Sequence, residues 1–417
     1  MTDTHHAIDA VWRIESARLI AGLVRMLRDV GLAEELAQDA LVTALEQWPQ
    51  TGVPDNPGAW LMTTAKHRAI DRLRRHKLVE RKHQQLVHEW EREHESAEAV
   101  AERTQDDPFG DDLLRLIFTA CHPLLSMEAR VALTLRLLGG LSTDEIARAF
   151  LVPEATIAQR IVRAKRSLAK SEVAYEVPHG DELAQRLAAV LGVIYLIFNE
   201  GYAATAGDDW MRPGLCEDAL RLGRVLAGLM PREPEVHGLV ALMEIQASRA
   251  RSRTDAGGEP ILLLDQDRAL WDRLLIGRGL AALEQARRLG GERGPYALQA
   301  AVAACHVRAA AAADTDWSRI AALYAVLAEV SPSPVVELNR AVAVGMADGA
   351  AEGLALVDAL GEEPSLRHYH LLPAVRGDLL ARLGRGEEAS REFERAATLT
   401  RNRREQAMMR ERARACR

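Results

Sequence analysis

Aromatic residues, cysteines and long apolar runs are all scarce in this chain. Only 4% of the 417 residues are Phe, Trp or Tyr. Ala, Leu, Arg and Glu dominate, which excludes a β-sandwich or barrel and predicts an all-α protein. No run of eighteen apolar residues and no signal peptide is present, so we expect a cytoplasmic protein without a membrane span. The four cysteines lack CxxC spacing and are expected to be reduced thiols: Cys121, Cys216, Cys305 and Cys416.

Positive charge is not in excess either. The chain has 53 Lys and Arg against 60 Asp and Glu, a net charge of −7, which excludes nucleic-acid binding by bulk charge and leaves only local patches. Residues 66–82 carry eight Lys or Arg against two acids, whereas residues 89–112 carry ten acids against two arginines. The acidic stretch ends in the turn-forming residues 106–110 and predicts a linker.

Signatures of catalysis and metal binding are missing. Cys121-His122 and Cys305-His306 are adjacent pairs without metal-ligand spacing, and neither a phosphate-binding glycine loop nor a nucleophile elbow is present. We therefore expect no enzyme activity, no cofactor and no metal. Two polar clusters, 265–268 with 271–273 and Asn199-Glu200, either line a ligand groove or lie at ordinary helix contacts.

The first block of the chain predicts three helices, at about 8–29, 32–48 and 58–78, with residues 49–58 as a loop because of their Pro and Gly content. Apolar residues recur at helical spacing in the second helix. Four polar residues form its opposite face: Glu34, Glu35, Gln38 and Asp39. The third helix opens with Ala59-Trp60-Leu61 and runs into the basic stretch, and Trp60 is most simply a core residue.

A helix, a tight turn and a second helix follow the acidic stretch. Ser142-Thr143-Asp144-Glu145 is a capping box that starts one helix, and 151–153 turns into another at 154–168. Ile146, Ala147 and Phe150 have the spacing to pack on Ile157 and Ile161, as in a helix-turn-helix. The second helix exposes six polar residues: Thr156, Gln159, Arg160, Arg163, Lys165 and Arg166.

The region after Pro178 reads as successive helices with a weak internal repeat of about thirty-six residues. Its two copies predict helix pairs that approach closely, as in a tetratricopeptide (TPR) solenoid. The first copy carries Ala341, Val344, Gly353, Val357 and Leu360, and the second carries Gly377, Leu380, Gly384, Ala389, Phe393 and Ala396.

Three motifs follow one another along the chain: Glu34-Glu35-Leu36-Ala37-Gln38-Asp39, 59–75 and Gly140-Leu141-Ser142-Thr143-Asp144-Glu145-Ile146-Ala147. In this order they resemble the extracytoplasmic-function (ECF, group IV) bacterial sigma factors, and the resemblance covers roughly residues 8–170. The remaining residues resemble the large helical C-terminal extension that a subgroup of these sigma factors carries. The resemblance implies an all-α chain divided into region 2 (1–88), an acidic linker (89–112), region 4 (113–172) and a TPR-like extension (180–417).

The resemblance also implies that the chain binds core RNA polymerase and directs promoter-specific initiation. Glu34, Glu35, Gln38 and Asp39 would dock on the polymerase. The basic helix would hold opened −10 DNA, whose backbone needs a positive track. His67 stands where the family often has Asn. The −10 set is Lys66, His67, Arg68, Arg72, Arg74 and Arg75.

For the −35 element, a recognition helix presents its N-terminal turns to base edges in the major groove. Gln159, Arg160 and Arg163 rank first for base contact, and Lys165 and Arg166 for phosphate contact. Ala158 stands where the family often has a basic residue, so the −35 sequence preference of other family members does not transfer to this chain.

Several interpretations stay open at this stage. The linker either imitates RNA in the polymerase channel or is a solubilising tether. The extension is expected to modulate sigma activity through an intramolecular contact or a protein partner. A one-component helix-turn-helix regulator with a helical sensor domain explains residues 113–417, and a TPR-type scaffold explains only the tail.

Overall fold

The computed structural model describes residues 3–84, 109–171 and 173–417, which fold into two compact units, 1–193 and 194–417. The prediction of an all-α protein is confirmed. Helices of the first unit are α1 (Asp3–Leu27), α2 (Val30–Thr51), α3 (Pro57–Gln84), α4 (Phe109–Ala120), α5 (Met127–Leu137), α6 (Thr143–Phe150) and α7 (Glu154–Lys170). Helix α8 (Gly180–Tyr202) begins in this unit and ends in the second.

The second unit consists of helix pairs and one very short parallel strand pair, β1 (Ala206–Gly207) with β2 (Arg401–Asn402). Its helices are α9 (Pro213–Leu229), α10 (Pro234–Ala247), α11 (Arg273–Arg288), α12 (Pro295–Arg308), α13 (Trp317–Val330), α14 (Pro334–Ala347), α15 (Ala350–Ala359), α16 (Leu371–Arg382), α17 (Gly386–Leu399) and α18 (Arg403–Ala415). Short 3-10 turns occupy Ala250–Ser252, Leu263–Asp265, Arg268–Leu270, Ala312–Asp314 and Pro364–Leu366.

The loop between α2 and α3 is shorter than predicted. The sequence predicts a loop over 49–58, but α2 continues through Pro49 to Thr51. Pro49 has no N–H to donate to the Leu45 carbonyl, so α2 loses one backbone hydrogen bond there but continues for two more residues. Gly52, at φ 84°, then ends α2, and its N–H donates to the Trp48 carbonyl. Pro57 at the first position of α3 is already preset for helical φ.

The helix-turn-helix folds as its sequence predicts. The Ser142 hydroxyl accepts from the Glu145 N–H, and the Glu145 carboxylate accepts from the Ser142 N–H, which completes the capping box. Leu151 turns the chain in the left-handed region, at φ 50°. Ile146 and Ile157 are fully buried between α6 and α7.

The predicted helix pairs near the C-terminus are present as α14 with α15 and α16 with α17. A Cβ on Gly353 would lie 2.7 Å from the Gly345 Cα, so the first pair approaches closely because both positions lack side chains. Phe393 is buried against Gly377 in the second pair. Gly384, at φ 75°, follows the end of α16 rather than packing in the interface.

The acidic linker predicted at 89–112 lies mostly outside the described residues. Its end, from Phe109 onward, is helical in α4, where the sequence predicts a turn. Asp112 is buried in this helix, with only 1% of the residue exposed.

Within the part of the chain that the structure describes, one segment, Glu182–Tyr202, is long and apolar enough to span a bilayer by length and composition. About 44% of its most apolar window is buried inside the fold, as in many core helices of water-soluble proteins. Its buried side chains include Val190, Ile197 and Phe198.

Candidate polymerase and promoter interface

Helix α7 presents one apolar face and one cationic face. Ile157, Ile161, Ala164 and Leu168 are buried at helical spacing and hold the helix on the rest of the first unit. The opposite face carries three exposed side chains that the sequence assigns to DNA: Gln159, Arg163 and Arg166. An exposed helix of this kind, following a tight turn, has the form of a major-groove reader.

The other predicted −35 residues are less accessible. Thr156 and Arg160 are half-buried. Lys165 is also half-buried, and its ammonium forms an ion pair with Glu34 of α2. A residue predicted to contact phosphate therefore already has an anionic partner within the chain.

Glu34 does not lie on an exposed polar face of α2, contrary to the sequence prediction. Only 4% of the residue is exposed. Its Oε1 accepts hydrogen bonds from Arg136 Nε at 2.6 Å and from Gln38 Nε2 at 2.8 Å, while Lys165 pairs with Oε2. The physical reason is that two cations from α5 and α7 cover this carboxylate, and a buried carboxylate needs such partners. Its predicted role in polymerase binding stays a prediction.

The other two acids of the predicted docking set, Glu35 and Asp39, lie beside cations of α3. Asp39 Oδ2 is 3.3 Å from Arg68 Nη1, and Glu35 Oε1 is 3.6 Å from Arg72 Nη1. Arg68 Nη2 also donates to the Thr43 hydroxyl at 2.7 Å. All four charged groups are about half exposed. Exposed pairs of this kind contribute little to stability, so both members stay available to other partners.

The other predicted −10 residues lie along α3. Lys66 is half-buried, and His67 and Arg74 are exposed. Arg75 belongs to the same helix, but its side chain lies outside the described residues. Trp60 is half-buried and packs edge-to-face on the buried Trp48 with ring centres 5.3 Å apart, so it lies at the edge of the core rather than within it.

Further contacts join the first three helices to α4–α7. Arg25 pairs with the buried Asp112 at 3.3 Å, and Arg13 pairs with Glu145 at 3.0 Å. The Tyr175 hydroxyl lies 2.8 Å from the Asp112 carbonyl and 3.1 Å from the Ala21 carbonyl. Burial, reinforced by the Asp112 charge, raises the pKa of Tyr175, so the hydroxyl keeps the proton that it donates. The helices thus form one closed unit.

Sequence reasoning did not find Arg136 or Tyr175, which hold this closed arrangement. Arg136 is in the last turn of α5, and Tyr175 follows α7; neither belongs to a recognisable motif. Only the tertiary contacts with Glu34 and Asp112 reveal them. Among residues 3–84, 109–171 and 173–417, no group of three His, Cys, Asp or Glu side chains has an arrangement suited to a metal ion.

Comparison with known protein families accounts for both halves of the first unit. Sigma-70 region 2 matches residues 14–79, and Sigma-70 region 4 matches residues 115–168. The chain belongs to the sigma-70 family. It is an ECF-type sigma factor that acts in transcription initiation. The interpretation as a one-component regulator leaves residues 1–88 without a purpose, whereas the region 2 match explains them.

Two relatives are similar to the chain, and one of them carries a sigma-factor name. The sigma factor is 44% identical, over 98% of its own length and 96% of the relative's, to an uncharacterized protein of Rhizobium meliloti (strain 1021). It is 27% identical to the probable ECF RNA polymerase sigma factor SigI of Mycobacterium tuberculosis, over 42% of the chain and 58% of that protein. No solved structure matches the chain.

The extension has a family match of its own. Residues 186–287 match a family of unknown function (DUF6596). The matched segment includes the polar cluster at 265–273. Sigma-70 families are regulators of transcription rather than enzymes, and their two regions imply interaction with core RNA polymerase and promoter DNA.

Proposed function

We propose that this sigma factor docks on core RNA polymerase through α2, holds opened −10 DNA along α3 and reads the −35 element through α7. The observation that carries the proposal is the exposed face of α7, which presents Gln159 together with Arg163 and Arg166, two arginines that form no ion pair among the described residues. Arginine reads guanine and glutamine reads adenine by paired hydrogen bonds, so this face suits base recognition. The protein would act in the cytoplasm, where promoter DNA is.

We also propose that the closed arrangement of the first unit is a resting form of the free sigma factor. Glu34 of α2 and Lys165 of α7 neutralise each other, although one is assigned to polymerase and the other to DNA. Docking of α2 on the polymerase and of α7 on DNA therefore competes with this contact. Binding to the core would separate the two regions and release both groups.

Glu34→Gln tests the resting form. The amide still accepts from Arg136 but offers no charge to Lys165, so we expect the free protein to bind −35 duplex DNA several-fold more tightly, a change of about 1 kcal/mol. Fluorescence anisotropy with a −35 duplex, in the absence of core polymerase, measures this affinity.

The matched control is Glu46→Gln, which removes one negative charge from an exposed position of the same helix. It changes long-range electrostatics equally but leaves the contact with Lys165 intact. Equal affinities for Glu34→Gln and Glu46→Gln would contradict the resting form.

Charge reversal on α2 tests polymerase docking. We expect Glu35→Lys combined with Asp39→Lys to weaken binding to core polymerase by several-fold to about tenfold, because the new lysines face basic groups on the core. The single variants Glu35→Lys and Asp39→Lys are each compared with Glu46→Lys, which makes the same charge change at an exposed position near the end of α2. Unchanged affinity of the double variant, measured by competition for core polymerase, would show that docking uses another surface.

The extension is proposed to modulate sigma activity. Because it is covalently attached, its effective concentration near the sigma regions is on the order of millimolar, so even a weak contact is populated. The small residues of its helix pairs, such as Gly345 and Gly353, support a solenoid whose surface binds a peptide or the sigma regions themselves.

A further inference from the structure

Three arginines gather in the second unit, two of them buried in its interior and the third half-buried. Arg249 and Arg253 follow the end of α10, and each has only 6% of its surface exposed. Arg268 opens the short turn Arg268–Leu270, within the polar cluster that the sequence singles out. These residues form the arginine cluster.

Aromatic rings and carbonyl groups position the cluster. The guanidinium carbons of Arg253 and Arg249 lie 3.5 Å and 6.0 Å from the centre of the Tyr202 ring. Arg253 also donates to the Tyr202 carbonyl. Arg268 lies 4.6 Å from the Trp271 ring centre and donates to the His306 carbonyl at 2.5 Å. These contacts fix the directions of the guanidinium groups without neutralising them.

The charge of the cluster is not compensated within the second unit, of which every residue is described. Other partly buried arginines there have carboxylate partners, such as Arg212 with Glu200 and Arg376 with Asp358. None of Arg249, Arg253 and Arg268 forms an ion pair. Burial of a charge without a counter-charge is costly, so an anion from solution would stabilise a site of this kind.

Polar nitrogen atoms are also left without partners. Arg249 Nε, Arg268 Nη2 and His306 Nδ1 are buried and make no hydrogen bond. Burial, Arg249 and Arg268 lower the pKa of His306 to about 4, so this imidazole is neutral at pH 7 and adds no charge. The carboxylate whose negative charge opposes the lowering of the Arg268 pKa is Asp314, and this residue is exposed and forms no ion pair with Arg268.

We propose that the arginine cluster binds the phosphate group of a small molecule. A phosphate dianion offsets two positive charges and has enough acceptor oxygens for three guanidinium groups, whereas a single carboxylate offsets only one charge. The ligand is inorganic phosphate or a phosphomonoester. The proposal concerns the extension alone and does not depend on the roles proposed for α2, α3 and α7.

Thermal unfolding of the full chain tests the site. Inorganic phosphate is added at constant ionic strength, with chloride as the reference salt. At phosphate about a hundredfold above Kd, we expect the unfolding temperature of the second unit to rise on the order of 5 °C. Arg249→Gln should abolish this rise. In chloride it should unfold at the same temperature as the wild type or higher, because an uncompensated buried charge has been removed.

Controls separate the site from other effects. Arg273→Gln removes an exposed arginine nearby and should keep the full phosphate effect. If Arg249→Gln does not fold, Arg268→Gln, at a half-buried position, must lose the effect instead. Glycerol phosphate shows whether the ligand is an ester: a rise with the ester but not with inorganic phosphate assigns the site to phosphomonoesters.

Three results would overturn the proposal. They are no rise with either phosphate compound, an equal rise with acetate, and an undiminished rise in Arg249→Gln or Arg268→Gln. An undiminished rise in an Arg249→Gln protein that is destabilised equally in both salts would show that Arg249 has only a structural role.

Discussion

Replacing Arg163 by Ala is expected to cost roughly 1–3 kcal/mol of −35 binding and to relax sequence preference at one or two base pairs. The side chain is exposed on α7 and has no ion pair among the described residues, so it is free to read a base edge. Arg160→Ala is expected to do the same from a half-buried position. Binding of the holoenzyme to a library of −35 variants measures both the loss and its sequence dependence.

Lys165→Ala is the matched comparison. A phosphate contact carries no sequence information, so its loss should weaken all duplexes of the library alike. Because Lys165 also pairs with Glu34 in the free protein, the comparison is made in the holoenzyme, where the proposed resting form has opened. A uniform loss for Arg163→Ala across the library would reassign that residue to phosphate contact.

Removal of the extension is expected to change output from the cognate promoter by at least about tenfold. Residues 180–417 far exceed what promoter recognition needs, and their tethering keeps any contact with the sigma regions populated. The fragment 1–178 therefore differs from the full chain in transcription rate even where its affinity for the core is unchanged. Multiple-round transcription with saturating core polymerase measures this rate.

A second fragment, 1–193, tests whether a change in output arises only because the shorter fragment is less well packed. Arg186 of α8 is buried and donates to the Phe118 carbonyl at 3.0 Å, so the shorter fragment loses a packing contact of region 4. If both fragments transcribe at the full-length rate, the extension does not modulate the sigma factor and is an independent binding module.

Local features of the fold were predictable from sequence, because neighbouring residues determine them. Ser142 and Glu145 are three residues apart and cap α6 as predicted. Pro49 misled the loop prediction, because a proline usually ends a helix, whereas α2 continues for two residues beyond it.

Long-range contacts of the candidate interface were not predictable. The cations that bury Glu34 are 102 and 131 positions away in the chain, and an amphipathic pattern assigns Glu34 to solvent because it reports only on its own helix. Arg249 and Arg253 have the spacing of an ordinary exposed helix face. Only the fold reveals that they are buried without carboxylates.

Run-off transcription with purified core polymerase tests the central claim most directly. The full chain is added to bare core with a library of genomic promoter fragments, and transcripts are mapped to their start sites. We expect the core to initiate at a small set of promoters that share −35 and −10 sequences, and only when the chain is present. Sequence-specific DNA binding by the chain without any new start site would contradict its assignment as a sigma factor.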